Sequence, residues 1–344
     1  MVSQKGIEAA LSMKIGKIPE TVLKRSVFKQ IKHRREEVLI RPGVGRDCAA
    51  IGAEGEEAIV ISTDPITGTT KDMGSLAVHI TANDIATSGG EVIGIMLTIL
   101  LPDGFRESDL REMMQDIEDT CHKLNIEVMG GHTEVTQAVN QPVISVTGIG
   151  KILRKDLLTA KGMKPGEEIV MTKWVGLEGT AIIAKEKEDE LKRKYPKEFI
   201  DSAIDFMDNI SVVPEAGIGK QAGATSMHDI TEGGIYGALW EMAESSGVGI
   251  TVDLKKIPIK QQTIEICEFY DLNPYLLISS GCLLMSAERG NELVDALKEK
   301  DIPAAVIGKV TSGNDRIIMN EDEKRYLEPP KSDELYKIYK VELD

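Results

Sequence analysis

"MGSLAVHITANDIATSGGEVIGIMLTILL" occupies residues 73–101 and holds a helix followed by a strand. Residues 76–87 read as an otherwise apolar helix interrupted by Asn83 and Asp84. Both are poor helix formers, and a polar pair placed among apolar neighbours needs partners. Residues 93–101 (IGIMLTILL) follow as a strand-like run.

Outward from this stretch the same alternation continues. Residues 58–62 (AIVIS) and 143–149 (VISVTGI) read as strands. Residues 108–124 form an amphipathic helix. Leu110, Met113, Met114, Ile117, Cys121 and Leu124 share one face, Asp109, Glu112 and Asp116 load the early turns, and Asn125 stands just past the end. Near residues 161–166 the character changes, and "KPGE" reads as a turn before a strand at 168–172. The domain boundary is placed there, giving domains 1–160 and 161–344. The second half repeats the mixture: a helix from Gly234 through 235–244, a strand at 248–254, a helix at 261–270, strands within 276–286, a helix at 291–299 and a strand at 304–310. The fold class is α/β in both halves. The charged run 185–197 reads as a solvated helical face.

Composition narrows the function. The chain has 344 residues, 42% hydrophobic and only 4% aromatic, so its core rests on aliphatic side chains. A net charge of −15 argues against nucleic acid and anionic membranes as partners. It leaves room for a phosphate-bearing ligand held by backbone N–H groups and a metal. The four cysteines form no CxxC pair, which fits a reducing cytoplasm. The opening stretch MVSQKGIEAALSMKIGK lacks a long apolar region, and no apolar run reaches about 18 residues, so neither a signal peptide nor a membrane span is expected.

Four short stretches place a carboxylate beside small residues: GVGRDCAAIG (Asp47), ISTDPITG (Asp64), ITANDIATSGG (Asn83, Asp84) and MHDITEGGIYGAL (Asp229, Thr231, Gly233, Gly234). Carboxylates scattered in sequence but gathered in space suit Mg²⁺, which keeps waters for phosphate. Glycines before a helix expose N–H groups to an anion. Each stretch also has a plain structural account. Asp47 can cap a turn, Asp64-Pro65 can open one, and Asp229 can be a helix N-cap. P-loop spacing is absent, although "GIGK" occurs at Gly148–Lys151 and Gly217–Lys220, and neither G-x-G-x-x-G nor G-x-S-x-G is present. His132 in "MGGHTEV" and His228 in "MHDITEGG" lie in glycine-bounded stretches and read as hydrogen-bonding residues or catalytic groups. Cys48 reads as a small buried filler rather than a nucleophile.

Together the stretches resemble the PurM-like superfamily of aminoimidazole ribonucleotide synthetase, selenophosphate synthetase, thiamine monophosphate kinase and the hydrogenase maturation protein HypE, with HypE the nearest branch. The matching runs keep that order: "STDP", residues 73–101, "MGGHTEVT", "VTGIGK", "KPGEEIVMTKWVGLEG", "MHDITEGGIYGALWEMAESSGVGI" and "IPIKQQTIEICEFYDLNP", covering roughly residues 40–310. The resemblance implies two α/β domains, a homodimer paired through the N-terminal sheets, and ATP with Mg²⁺ in a cleft between the domains. It implies Asp47, Asp64 and Asp84 as metal ligands and Asp84 and Asp229 as catalytic groups, with His132 a further catalytic candidate from its own glycine-bounded stretch. It implies Asn83, Thr231, Gly233 and Gly234 as ATP contacts, with Arg46 and Thr63, beside Asp47 and Asp64, as further candidates. Its chemistry is ATP-dependent activation of an oxygen on an acceptor.

The departures are specific. Relatives in the HypE branch close in a cysteine that carries a carbamoyl group. This chain closes "YKIYKVELD" with no cysteine after Cys282, so a self-modifying tail is not expected. The family's Gly-Asp-Thr is Gly131-His132-Thr133, its Asp-x-Thr-Arg-Gly-Gly carries Glu232, its Asn-Glu-Gly is Ser279-Ser280-Gly281, and its acidic pair is Arg46-Asp47. Three functions stay open. The first is an ATP- and Mg²⁺-dependent enzyme acting on a small-molecule acceptor. The second is a hydrogenase-maturation assembly factor that binds maturation partner proteins, with ATP structural or regulatory. The third is a small-molecule kinase like thiamine monophosphate kinase.

Overall fold

A computed structural model of the protein describes residues 20–66, 72–329 and 332–340. Residues 1–17 and the closing 341–344, both used above, lie outside them. The chain builds two mixed sheets, each backed by helices. The first holds β1 (Val38–Ile40), β2 (Ala49–Gly52), β3 (Glu57–Ile66), β4 (Glu91–Leu101), β5 (Glu127–Val135) and β6 (Val143–Leu153), in the order β1-β2-β3-β6-β4-β5. Helix α1 (Met73–Thr87) leads into β4, and α2 (Glu107–Leu124) joins β4 to its parallel neighbour β5.

The inner face of this sheet carries Val60, Leu97, Ile99, Ile144 and Val146, all buried under α1. The helix lies close because β6 offers Gly148 and Gly150. A Cβ on Gly148 would stand 2.4 Å from Thr81, and one on Gly150 would stand 2.5 Å from Ile85. The "GIGK" that lacks P-loop spacing is therefore a packing groove. The outer face has a different character. Ile51, Ile93, Met96, Met129 and Val135 are exposed on or beside it. The strand register lines up Pro65, Ser145, Thr98 and His132 in one row and Thr63, Thr147, Met96 and Gly130 in the next.

The second sheet holds β7 (Glu168–Thr172), β8 (Ser226–Asp229), β9 (Gly249–Asp253), β10 (Leu283–Ala287), β11 (Ala304–Thr311), β12 (Arg316–Asn320) and β13 (Glu323–Tyr326), in the order β13-β12-β9-β11-β7-β10-β8. Around it run α3 (Leu177–Glu186), α4 (Lys197–Ile204), α5 (Val213–Gln221), α6 (Gly234–Ser246), α7 (Gln261–Phe269) and α8 (Gly290–Lys298). The charged run 185–197 is not one helical face. It passes from the end of α3 through a single helical turn at Glu188–Leu191, with Leu191 buried. The strand expected from residue 276 starts only at Leu283. Residues 277–282 instead form a loop, and the buried Lys173 ammonium takes the Gly281 carbonyl at 2.9 Å. No helix among the described residues is long and apolar enough to cross a membrane.

Asn83 joins the two domains. Its Nδ2 donates to the Ile210 carbonyl at 2.9 Å, and its Oδ1 accepts from the Val212 N–H at 2.8 Å. Lys173 holds the same segment from the other side, donating to the Asn209 and Ser211 carbonyls at 2.8 and 2.6 Å and pairing with Glu215 at 2.5 Å. The polar interruption of α1 is thus satisfied by backbone from the other half of the chain. Replacing Asn83 by Ala strands a buried carbonyl and a buried N–H, each costing about 1–3 kcal/mol. The expected loss is about 2–4 kcal/mol in urea unfolding followed through Trp174 and Trp240. An unchanged midpoint contradicts the clamp.

Candidate functional site

Between the two sheets lies a cleft of about 790 Å³. Four carboxylates from distant parts of the chain line it: Asp47 from the loop before β2, Asp64 on β3, Asp84 on α1 and Asp229 at the end of β8. Ser62, inward-facing on β3, sits among them. Its hydroxyl lies 3.1 Å from Asp64 Oδ2 and 3.2 Å from the Asp47 carbonyl, and it also contacts Asp84 Oδ2.

Crowding has an electrostatic cost. Burial pushes the Asp84 carboxyl well above its ordinary value, and Asp229, Asp64 and Asp47 push it further. Burial and then Asp47 raise Asp229 to about 7, with His228 pulling the other way. Asp229 Oδ2 is buried without a hydrogen-bond partner. His228 is the cation built into this cluster. Burial disfavours its charge, but Asp47 and Glu241 outweigh burial and hold it well above the usual imidazole range. Its Nδ1 lies 2.8 Å from Asp47 Oδ2 and its Nε2 lies 3.0 Å from Glu241 Oε2.

The donor set fits a hard divalent cation. Asp47, His228 and Asp229 offer ligand atoms within 4.8 Å of one another, and Asp64 and Asp84 add carboxylate oxygens to the same cleft. Oxygen-rich donors with an unsatisfied buried oxygen match Mg²⁺ better than a soft metal. His228 already uses both nitrogens on carboxylates, so the aspartates are the better ligands.

The start of α6 follows Asp229 after a short glycine turn. Gly233 and Gly234 take φ of +91° and +61°, and a Cβ on Gly234 would stand 2.6 Å from the Tyr275 carbonyl. Only glycine fits that turn, and the N–H groups of both glycines already have hydrogen-bond partners in the folded chain. Thr231 lines the cleft just before it and accepts the Gly234 N–H at 3.0 Å.

Other expected residues sort differently. Thr63 lines the cleft and its hydroxyl is 3.0 Å from that of Thr147. Arg46 is half-buried at the cleft wall, with its guanidinium donating to the Arg41 carbonyl at 2.7 Å. Asn83 does not face the cleft; its amide is consumed by the clamp to residues 210 and 212. His132 lies on the exposed edge strand β5, 3.1 Å from Glu134, and is not among the residues lining the cleft. Cys48 is half-buried, and burial with Asp47 nearby raises its thiol far above the range of a nucleophile.

Three residues were missed. Glu178, at the start of α3, lines the cleft with Oε2 buried and unpaired, and burial lifts its carboxyl to about 7, Asp333 and Glu232 adding to the rise. Glu241 on α6 anchors His228. Ser62 was legible in principle, because Ala58, Val60 and Ser62 share the inward face of β3 and a hydroxyl there is anomalous. The adjacency of His228 to Asp229 was the signal for the histidine.

This arrangement has relatives. Residues 45–152 match the AIR synthase related protein, N-terminal domain, and residues 164–320 match the corresponding C-terminal domain. The chain belongs to the AIR synthase related proteins. Within the family, a putative hydrogenase expression/formation protein of Methanocaldococcus jannaschii is 28% identical over 88% of this chain and 91% of its own length. Carbamoyl dehydratase HypE of Cupriavidus necator is 27% identical over 72% of this chain and 74% of its own. Among solved structures, hydrogenase maturation protein HypE in complex with ATP shares the fold with a TM-score of 0.71 at 22% identity, covering 85% of this chain and 90% of that one. The HypE–HypF complex gives 0.70 at 23% identity, over 82% and 93%.

The raised Glu178 carboxyl gives a signed pH dependence. Between pH 4.5 and about 7 the folded protein keeps a proton that the unfolded chain has released, so stability falls as pH rises through that window. Glu178→Gln removes this contribution. Its stability relative to the parent is expected to improve between pH 4.5 and pH 8 by on the order of 3 kcal/mol. Urea unfolding at both pH values checks it, and a gap that does not change with pH refutes the assignment.

Proposed function

We propose that the protein is an ATP- and Mg²⁺-dependent enzyme that activates an oxygen of a small acceptor by phosphoryl transfer. The observation that carries this reading is the convergence of Asp47, Asp64, Asp84 and Asp229 in one cleft, which Thr231, just before the glycine-led start of α6, also lines. The HypE structure solved with ATP supports the nucleotide. Asp47, Asp64, Asp84 and Asp229 would hold Mg²⁺, which when bound supplies neutralisation of the transferring phosphoryl group.

The rest is done by the chain. The start of α6 stabilises negative charge through the helix dipole. His228, fixed by Glu241, orients Asp47. Glu178, able to take or give a proton near neutral pH, faces the acceptor side. Expected behaviour in calorimetry is binding of Mg·ATP that weakens at least tenfold in Asp84→Asn and in Asp229→Asn. Parent-like binding in both variants would sink the site assignment.

The protein is read as a cytoplasmic homodimer paired through the outer face of the first sheet, which is apolar and open over Ile93, Met96 and Met129. Thr63 and His132 lie on that face, so pairing would bring His132 back beside a cleft. Met96→Lys is expected to leave a monomer in sedimentation, while a parent that already sediments as a monomer refutes the pairing.

A second reading, an assembly factor for hydrogenase maturation, is favoured by the relatives named for hydrogenase expression and by the HypE–HypF complex. Mg·ATP binding without turnover across a panel of acceptors would favour it.

A further inference from the structure

The start of α6 is not bare. Asp333, from the C-terminal segment, places Oδ2 2.7 Å from the Gly233 N–H. Its Oδ1 accepts from the Ile278 N–H at 3.2 Å and from the Leu335 N–H at 2.9 Å. The carboxylate is buried, and it lines the same cleft as Asp229, Glu178 and Thr231. Two of its three donors lie outside its own segment: Gly233 at the start of α6, and Ile278, which lines the cleft. The chain therefore seats one of its own acids in the place prepared for an anion.

A second observation points to a ligand. Glu178 Oε2 is buried with no partner, and it lines the cleft together with Asp333. An acid that keeps its proton offers a hydrogen bond to an anion bound beside it. The surroundings also limit the charge of that anion. Glu232 bears on Asp333 as a negative neighbour. It opposes a dianionic phosphate more strongly than a single carboxylate, since repulsion scales with the product of the charges.

We propose that the Gly233 and Ile278 N–H groups form a carboxylate subsite on the acceptor side of the cleft, filled in the resting protein by Asp333, and that a carboxylate-bearing acceptor binds by displacing it. This rests on the reading of the cleft as a nucleotide-dependent enzyme with a separate acceptor. It adds the acceptor's class and the group it replaces. The remainder of the segment has its own attachments. Leu335 and Ile338 are buried against α3 and α7, and Glu334 takes the Asn273 N–H at 2.9 Å. Loss of the Asp333 contacts alone therefore leaves the segment anchored.

The test is chemical rescue in the full chain with acetate as the probe. Asp333→Ala is expected to lower the thermal midpoint. Acetate, but not chloride at equal ionic strength, restores it and shifts the Gly233 amide resonance with an apparent affinity at least tenfold tighter than in the parent. Absence of both the rescue and the shift overturns the subsite and leaves Asp333 as a cap of its own segment. An equal response to inorganic phosphate overturns the carboxylate assignment. If Asp333→Ala does not fold, hydrogen exchange on the parent decides. Saturating acetate must raise exchange at the Leu335 N–H while Gly233 stays protected, and no change at Leu335 refutes displacement. ATP titration of the same samples reports separately on the nucleotide reading, because the acetate response requires no ATP.

Discussion

Four carboxylates meet in one cleft, and their mutual repulsion is the constraint around which the rest of the structure is arranged. Like charges brought together out of water either stay protonated or acquire a cation. The chain does some of both. Asp84 and Asp229 are pushed toward their neutral forms. His228, buried between Asp47 and Glu241, is held toward its charged form by both carboxylates. What remains is an excess of oxygen donors, a set whose chemistry fits a divalent ion. Each acid reaches it from a different element, so α1, β3, β8 and the loop before β2 must all end at one place. The two-domain packing is the means of doing so.

The broad outline was legible because it rests on periodicity and on turn chemistry. The alternation of 58–62, 93–101 and 143–149 with amphipathic helices places the first sheet. The glycine pair at 233–234 announces the start of α6, since a turn of positive φ followed by a helix has few other solutions. The acids at 47, 64, 84 and 229 were legible as a set and ambiguous one by one, because a lone Asp caps turns as readily as it binds metal.

What escaped was fixed by contacts between distant segments. Asn83 looks like a site residue from its neighbour Asp84, yet on the helix the two side chains point apart: one into the cleft, the other to the backbone of residues 210 and 212. The strand expected from residue 276 failed because Lys173, more than a hundred positions upstream, claims the Gly281 carbonyl. His132 stands where the family has an acid, and in the single chain it is exposed on the edge strand β5. Asp333 had no signal at all, since its role exists only once the C-terminal segment lies against α6.

The clamp at Asn83 also decides which motions are cheap. A hinge between the two halves would have to break two buried hydrogen bonds at Asn83 and disturb the carbonyl cage around Lys173 in the same step. Asn83 and Lys173 are buried, so water can replace their partners only once the interface has parted. Segments outside the clamp carry no such penalty. The clamp therefore favours small rearrangements at the rim over a hinge between the two halves. Such a molecule works less like a closing jaw than like a fixed frame with adjustable edges.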